Sequence, residues 1–154
     1  MLTFLLILHG LLALALLGAL THQALAVLWP GRKGAGFVQS FRAVSGGVYA
    51  NACVSLYLAT FALGAWIYPP YRVAVRVWIE RARLFEVSGL FEFKEQVFAI
   101  GLGLLPLYWL LWRRGQDQSL SRARAWVTAI LCLSVWYGLI AGHIINNVRG
   151  MFGA

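Results

Sequence analysis

Two histidines of this chain combine a metal-ligating side chain with an adjacent glycine. His9 is followed by Gly10, and His143 is preceded by Gly142. A b-type haem held by two imidazoles needs both ligands at similar depth on facing helices. Glycine beside each ligand leaves room for a flat porphyrin near the backbone. We therefore predict that His9 and His143 are the axial ligands of one haem iron. His22 lies in the other half of its helix, where it has no histidine partner, so we expect it to be dispensable for haem binding.

The same part of the chain also suits a quinone. A quinone pocket needs a hydrogen-bond donor, a group that exchanges protons and an aromatic-walled cleft. Side chains of suitable type are His143, Asn146, Tyr71, Glu92 and Glu95. Arg72 and Arg76 are candidates to pair with haem propionates or with an anionic headgroup. Glu92 and Glu95 have a second interpretation, as carboxylates that favour the positive end of a helix in its first turn.

Each of these features also has a purely structural interpretation. A histidine near the end of a span often hydrogen-bonds at the interface, and Gly138 and Gly142 form a small-xxx-small packing motif. The sequence contains no hydrolase or phosphate-loop motif, so it predicts no catalysis by the chain itself. The alternative function is therefore that of a cofactor-free structural or assembly subunit. Cys53 and Cys132 are expected to be small buried hydrophobic residues.

The composition indicates a membrane protein. Apolar residues make up 61% of the 154 residues and charged residues only 12%, and the mean hydropathy is +0.75. A soluble domain has about a quarter of its residues charged. The net charge is +8, but the basic residues lie between the apolar runs, where they are expected to contact anionic lipid headgroups. We therefore expect the lipid bilayer as a partner and exclude nucleic acid.

The apolar runs predict an all-α integral membrane four-helix bundle that forms one domain over residues 1–154. The predicted spans cover residues 2–29, 46–68, 91–112 and 125–145. Pro69 and Pro70 are expected to end the second span. Residues 71–86 alternate charged and apolar positions with helical period, which predicts one amphipathic interfacial helix between the second and third spans.

The distribution of basic residues predicts the orientation. The first and third connecting regions hold seven Lys or Arg, and the second holds five if Lys94 at the start of the third span is counted, or six with Arg149. By the positive-inside rule, both termini lie outside, and His9 and His143 lie near the outer face. We expect a location in a prokaryotic inner membrane.

In architecture alone, the chain resembles small four-helix membrane cytochromes and the anchor subunits of redox complexes. With so little sequence outside the spans, we expect other membrane subunits as partners. The predicted function is that of a subunit of an electron-transfer complex that binds one b-type haem or a quinone.

Overall fold

The computed structural model describes residues 2–28, 36, 46–114 and 117–152, and all regular structure in these segments is helical. The four long helices are α1 (Leu2–Leu28), α2 (Gly46–Arg81), α3 (Phe85–Arg113) and α4 (Ser121–Phe152). All four are long and apolar enough to cross a membrane. The prediction of an all-α protein with four such helices is thus confirmed.

The helices form an antiparallel ring in which each packs against the two that flank it. Helix α1 contacts α2 and α4, and α3 contacts the same two helices from the other side. One end of the bundle, the terminal end, holds the start of α1, the turn between α2 and α3 and the end of α4. The opposite end, the loop end, holds the turn between α3 and α4. This ring determines which candidate residues can meet.

The helices carry apolar side chains on their outer faces as well as in the core. Leu16, Tyr57 and Leu131 are fully buried between the helices. On the outside, Trp66 is 72% exposed and Leu133 is 69% exposed. A soluble bundle would place polar residues at most of these outer positions, whereas a lipid solvent accepts apolar ones. The distribution therefore fits a bundle surrounded by lipid.

Helix α2 continues through Pro69 and Pro70, so the prediction that these prolines end it was wrong. The backbone passes from Pro70, with φ −64° and ψ −33°, into a π-helical turn over Tyr71–Arg76 and then an α-helical segment over Val77–Arg81. Proline lacks an N–H and disturbs the regular hydrogen-bond ladder. A wider π turn is one recognised way in which a helix absorbs such a disturbance.

Residues 71–86 are consequently not one separate helix, contrary to the prediction. They are divided between the end of α2 and the start of α3 by a tight turn at Ala82–Leu84. Arg83 adopts a positive φ of 60° in this turn, and Leu84 donates its N–H to the carbonyl of Ile79 at 3.0 Å. Because Ile79 is fully buried, packing fixes where α2 ends and the chain reverses.

Helix α3 begins at Phe85, six residues before the predicted start of the third span at residue 91. Ser88 and Gly89 lie within its first turns, and Ser88 is buried. Glu86 occupies the first turn. Glu92 and Glu95 lie further along α3, so their expected role at the positive end of this helix was wrong.

Helix α4 also extends beyond the expected boundary. It was predicted to end at about residue 145, with the asparagine pair after it, but it runs through Asn146 and Asn147 to Phe152. Residue 29, the predicted end of the first span, lies outside the described residues, as do Arg32, Lys33 and Arg42. Hydropathy therefore did not predict where α4 ends, because the helix continues into polar residues.

Candidate functional site

An open groove runs between α1 and α4 in the half of the bundle near the terminal end. Its volume is about 620 Å³. Helix α1 contributes Gly10, Leu11 and Leu14 to its walls, and α4 contributes Leu139, Ile140 and His143. Among the residues that line the groove, His143 is the single polar one. The groove is therefore apolar, with one hydrogen-bonding side chain near its end.

His143 is held by the helix turn that follows it. Its Nε2 atom lies 3.0 Å from Nδ2 of Asn147, four residues further along α4. With the amide of Asn147 oriented in this way, Nδ2 donates and the imidazole Nε2 accepts. In the neutral ring the proton then lies on Nδ1, which can donate to a carbonyl oxygen of a ligand. Asn147, a residue that was not predicted to take part in the site, thus positions the imidazole ring.

His9 lies on the opposite side of α1 from the groove. At 100° per residue, it points roughly 150° away from the mean direction of the α1 residues that line the groove. Its ring packs against Gly64 of α2, where a Cβ would approach Cε1 to 3.1 Å. The structure therefore places His9 between α1 and α2, whereas His143 faces the groove between α1 and α4. The two predicted haem ligands do not share one surface.

His9 belongs to an interior polar region at the terminal end. Its Nδ1 atom is buried and has no hydrogen-bond partner among the residues that the structure describes. Lys94 of α3 acts on it electrostatically, and the ammonium group of Lys94 lies 5.1 Å from the ring centroid of Phe91. In the sequence, Lys94 was counted among the charges of the second connecting region. Its helical spacing from Phe91 and Phe98, three and four residues, was the signal that it faces inward.

Tyr71 stacks on Phe91 with a centroid distance of 4.1 Å, and Tyr68 stacks on the same ring at 6.1 Å. The hydroxyl of Tyr71 is buried and has no hydrogen-bond partner within the described segments. These rings lie between α2 and α3, away from His143. Of the residues considered for a quinone, Tyr71 is therefore separated from His143 by the body of the bundle.

The two candidate arginines have different surroundings. Arg76 donates from Nε to Glu80 Oε1 at 2.8 Å and from a terminal nitrogen to Glu92 Oε1 at 2.5 Å. Arg76 is thus engaged in ion pairs within the protein. Arg72 is exposed, and so is Asn146, which does not line the groove. Neither Arg72 nor Arg76 is brought next to His143.

His22, the histidine expected to be dispensable, connects two helices. Its Nδ1 lies 2.8 Å from the hydroxyl of Tyr49 on α2, and the two rings meet edge to face at 5.3 Å. The arrangement is a hydrogen-bonded helix contact in the half of the bundle near the loop end.

Within the described part of the chain, no group of three or more His, Cys, Asp or Glu side chains could hold a metal ion. Comparisons with protein-family models, with curated proteins and with solved structures find no match to this chain. The groove between α1 and α4, with His143 near its end, is therefore the feature of the described residues that best fits a ligand.

Proposed function

We propose that the protein is a membrane-embedded subunit of a redox complex and that it binds a quinone in the groove between α1 and α4. The observation that carries the proposal is an apolar groove of about 620 Å³ with His143 as its single polar lining residue. Pockets for small ligands typically span about 300–1,000 Å³. The isoprenoid tail would lie along the leucines and the quinone ring beside His143.

The chemistry expected of the chain is binding and proton exchange. The Nδ1–H group of His143 would donate to a quinone carbonyl, while Asn147 holds the ring through Nε2. Reduction of a quinone to a quinol takes up two electrons and two protons. The neutral imidazole can give up its Nδ1 proton only if Nε2 takes up another, so proton transfer through His143 would require Nε2 to separate from Asn147 and to receive a proton from the headgroup region. A partner subunit of the complex would supply or accept the electrons.

The haem hypothesis based on His9 and His143 remains a prediction, and the geometry favours it less. Two axial ligands must lie on opposite sides of one iron. His9 packs against Gly64, on the side of α1 away from the groove. A Soret band lost in both the His9→Ala and the His143→Ala variant would support haem instead of a quinone.

The alternative is a cofactor-free structural subunit, and the two glycines of the groove region favour it. A Cβ at Gly10 would meet no atom within 4 Å, and the same holds for Gly142. Small residues without contacts let a helix from another chain approach closely. A partner helix would then occupy the groove in place of a ligand.

The proposed orientation follows from the basic residues. The sequence between α1 and α2 and the turn between α3 and α4 together carry seven Lys or Arg, whereas the terminal end carries six, counting Lys94 and Arg149. On this basis we propose that the loop end faces the cytoplasm of a prokaryotic cell and that both termini lie outside. The charged residues around the turn at Ala82–Leu84 would then lie at the level of the outer headgroups.

The test is photolabelling in nanodiscs with a photoreactive quinone that carries an isoprenoid tail. In the unmodified protein, we expect labelled peptides from α1 and α4. Gly10→Leu would place a side chain into the groove and abolish the labelling. Gly18→Leu is the matched control, because a Cβ at Gly18 also meets no atom within 4 Å and Gly18 does not line the groove.

Substitution of the histidine tests the polar end of the groove. His143→Ala removes one hydrogen bond to the quinone, and we expect affinity to fall roughly threefold to tenfold. His22→Ala removes an imidazole outside the groove and leaves affinity unchanged. Labelling that persists in both Gly10→Leu and His143→Ala would contradict the proposal. Co-purification of a partner chain that is lost in Gly10→Leu would favour the structural subunit.

A further inference from the structure

The loop end of the bundle carries a cluster of arginines. Arg113 and Arg114 end α3, and Arg122 and Arg124 lie in the first turn of α4. Arg113, Arg114 and Arg122 are exposed. Within the described segments, no ion pair joins these three to a carboxylate.

The one acidic residue of this turn is engaged locally. Oδ1 of Asp117 accepts hydrogen bonds from the backbone N–H of Ser119 at 2.9 Å and from its hydroxyl at 2.6 Å. These bonds hold the pKa of the Asp117 carboxyl below its ordinary value. The carboxylate caps a short 3₁₀ turn over Gln118–Leu120. It therefore stabilises the turn, and within the described segments its side chain forms no ion pair with Arg113, Arg114 or Arg122.

Arg124 fastens the two helices to each other. Its Nε donates to the carbonyl of Leu111 at 3.1 Å, and a terminal nitrogen donates to the carbonyl of Asp117 at 3.2 Å. Its guanidinium also lies 5.7 Å from the ring centroid of Trp112. The end of α3 and the start of α4 are thus held together, which keeps the exposed arginines of both helices in one region.

Each of these helices places an arginine one turn closer to the loop end than a tryptophan. The guanidinium of Arg113 lies 4.5 Å from the ring centroid of Trp109, whose Nε1 donates to Asn51 Oδ1 at 2.7 Å. Arg122 precedes Trp126 by four residues, and Trp126 is 70% exposed. Tryptophan is enriched where acyl chains meet headgroups, so both guanidiniums lie at headgroup level when the helices cross a bilayer.

We propose that Arg113, Arg114 and Arg122 form a binding site for the headgroup of an anionic phospholipid of the surrounding leaflet. Guanidinium binds phosphate through two parallel hydrogen bonds, which an ammonium group does not do. Trp109 and Trp126 provide apolar faces beside the acyl chains, directly below the arginines. The site lies at the opposite end from the groove, and its ligand is a lipid that does not take part in redox chemistry.

The test measures lipid enrichment on the full chain. The protein is reconstituted in nanodiscs of phosphatidylcholine with a minor fraction of phosphatidylglycerol, and the lipids that remain bound after transfer to detergent are counted by native mass spectrometry. We expect phosphatidylglycerol to be enriched on the unmodified protein. Removal of all three charges in Arg113→Gln/Arg114→Gln/Arg122→Gln is expected to lower its affinity about tenfold or more.

The matched control removes the same charge at the terminal end. Arg72→Gln/Arg81→Gln/Arg83→Gln substitutes three exposed arginines near carboxylates, and we expect the enrichment to be retained. Equal enrichment in the loop-end variant and the unmodified protein, or equal loss in both triple variants, would overturn the proposal. If the triple variant does not fold, Arg122→Gln alone must still reduce the enrichment. His143→Ala is expected to leave the phosphatidylglycerol enrichment unchanged. A failure of the quinone proposal can therefore be distinguished from a failure of the lipid-site proposal.

Discussion

The hydroxyl of Tyr57 occupies the space that a Cβ at Gly101 would fill. From there it donates to the backbone carbonyl of Phe98 at 2.9 Å, and Tyr57 is fully buried. The ring of Phe98 in turn occupies the space beside Gly138 of α4. Two glycines on neighbouring helices thus accommodate one pair of aromatic rings, which joins α2, α3 and α4.

This relationship predicts a strong effect of a single methyl group. Gly101→Ala would force Tyr57 out of its position and break its bond to Phe98, and we expect the free energy of unfolding to fall by about 1–3 kcal/mol. The free energy of unfolding is measured by titration with a denaturing detergent in mixed micelles. Gly103→Ala is the control, because a Cβ at Gly103 meets no atom within 4 Å. Equal stability of the two variants would contradict the packing.

Hydropathy was sufficient to predict the four helices, because the thickness of a bilayer requires long apolar runs whatever the fold. It did not predict the roles of individual glycines. Gly138 and Gly142 form one motif in the sequence, yet only Gly138 accommodates a ring within the bundle, while Gly142 has no atom within 4 Å of its Cβ position. Which glycine of a small-xxx-small motif contacts another helix depends on where that helix lies. The sequence around the motif does not determine this.

A second buried relationship joins three helices. The side chain of Gln23 in α1 is fully buried, and its Oε1 accepts from the hydroxyl of Tyr108 in α3 and from the thiol of Cys53 in α2. Its Nε2 has no hydrogen-bond partner in the segments described. In the sequence, Gln23 is one of the few polar residues in the first apolar run. Its contacts show that it is part of the core.

Because Gln23 and Tyr108 contact each other, their substitutions should have non-additive effects on the unfolding free energy. Gln23→Leu removes the acceptor of the buried Tyr108 hydroxyl, and Tyr108→Phe leaves Gln23 Oε1 with only the weak thiol donor of Cys53. Each substitution is expected to cost about 1–3 kcal/mol of unfolding free energy. The double variant removes both polar groups, so it should cost less than the sum. A double-mutant cycle measures the coupling. Ser134→Ala, whose hydroxyl bonds to Ile130 of its own helix, should combine additively with Gln23→Leu.

The turn at the loop end predicts a dependence on pH. Because the pKa of Asp117 is lower in the folded protein than its ordinary value, the carboxylate contributes stability above the ordinary pKa. That contribution is lost as the pH falls through the lowered folded-state pKa. Ser119→Ala should raise the pKa of Asp117 towards its ordinary value, which the carboxyl-carbon chemical shift in an NMR titration would report. Ser121→Ala should leave the pKa of Asp117 unchanged. A shift of equal size in the Ser121→Ala variant would show that the hydrogen bonds from Ser119 are not the cause.

The candidate site was predictable in part. Residue type and the neighbouring glycine singled out His143, and the structure places it in a groove. The same signal singled out His9, which packs against α2 instead. Sequence spacing gives the face of one helix but not which neighbour that face meets. The depth argument that paired the two histidines therefore could not determine whether they face each other.

Arg76 lies in the segment that was expected to form an interfacial helix. In the structure, Arg76 follows the two prolines within a continuous helix and binds Glu92 of α3 as well as Glu80. Arg76→Glu would place three carboxylates close together. We therefore expect the variant to unfold at a lower fraction of denaturing detergent in mixed micelles. Arg76→Glu/Glu92→Arg restores the pairing across the turn, so most of the lost stability should return. High salt should reduce the difference, because exposed charges are screened.

Arg72→Glu/Glu92→Arg is the control for that rescue. Arg72 is exposed, and no ion pair joins it to Glu92 in the described part of the chain. If residues 71–86 instead formed a separate helix in the headgroup plane, Arg76 would have no fixed position relative to Glu92. The double reversal at Arg76 and Glu92 would then rescue no better than the control. A rescue specific to Arg76 and Glu92 requires α2 to continue through Pro69 and Pro70.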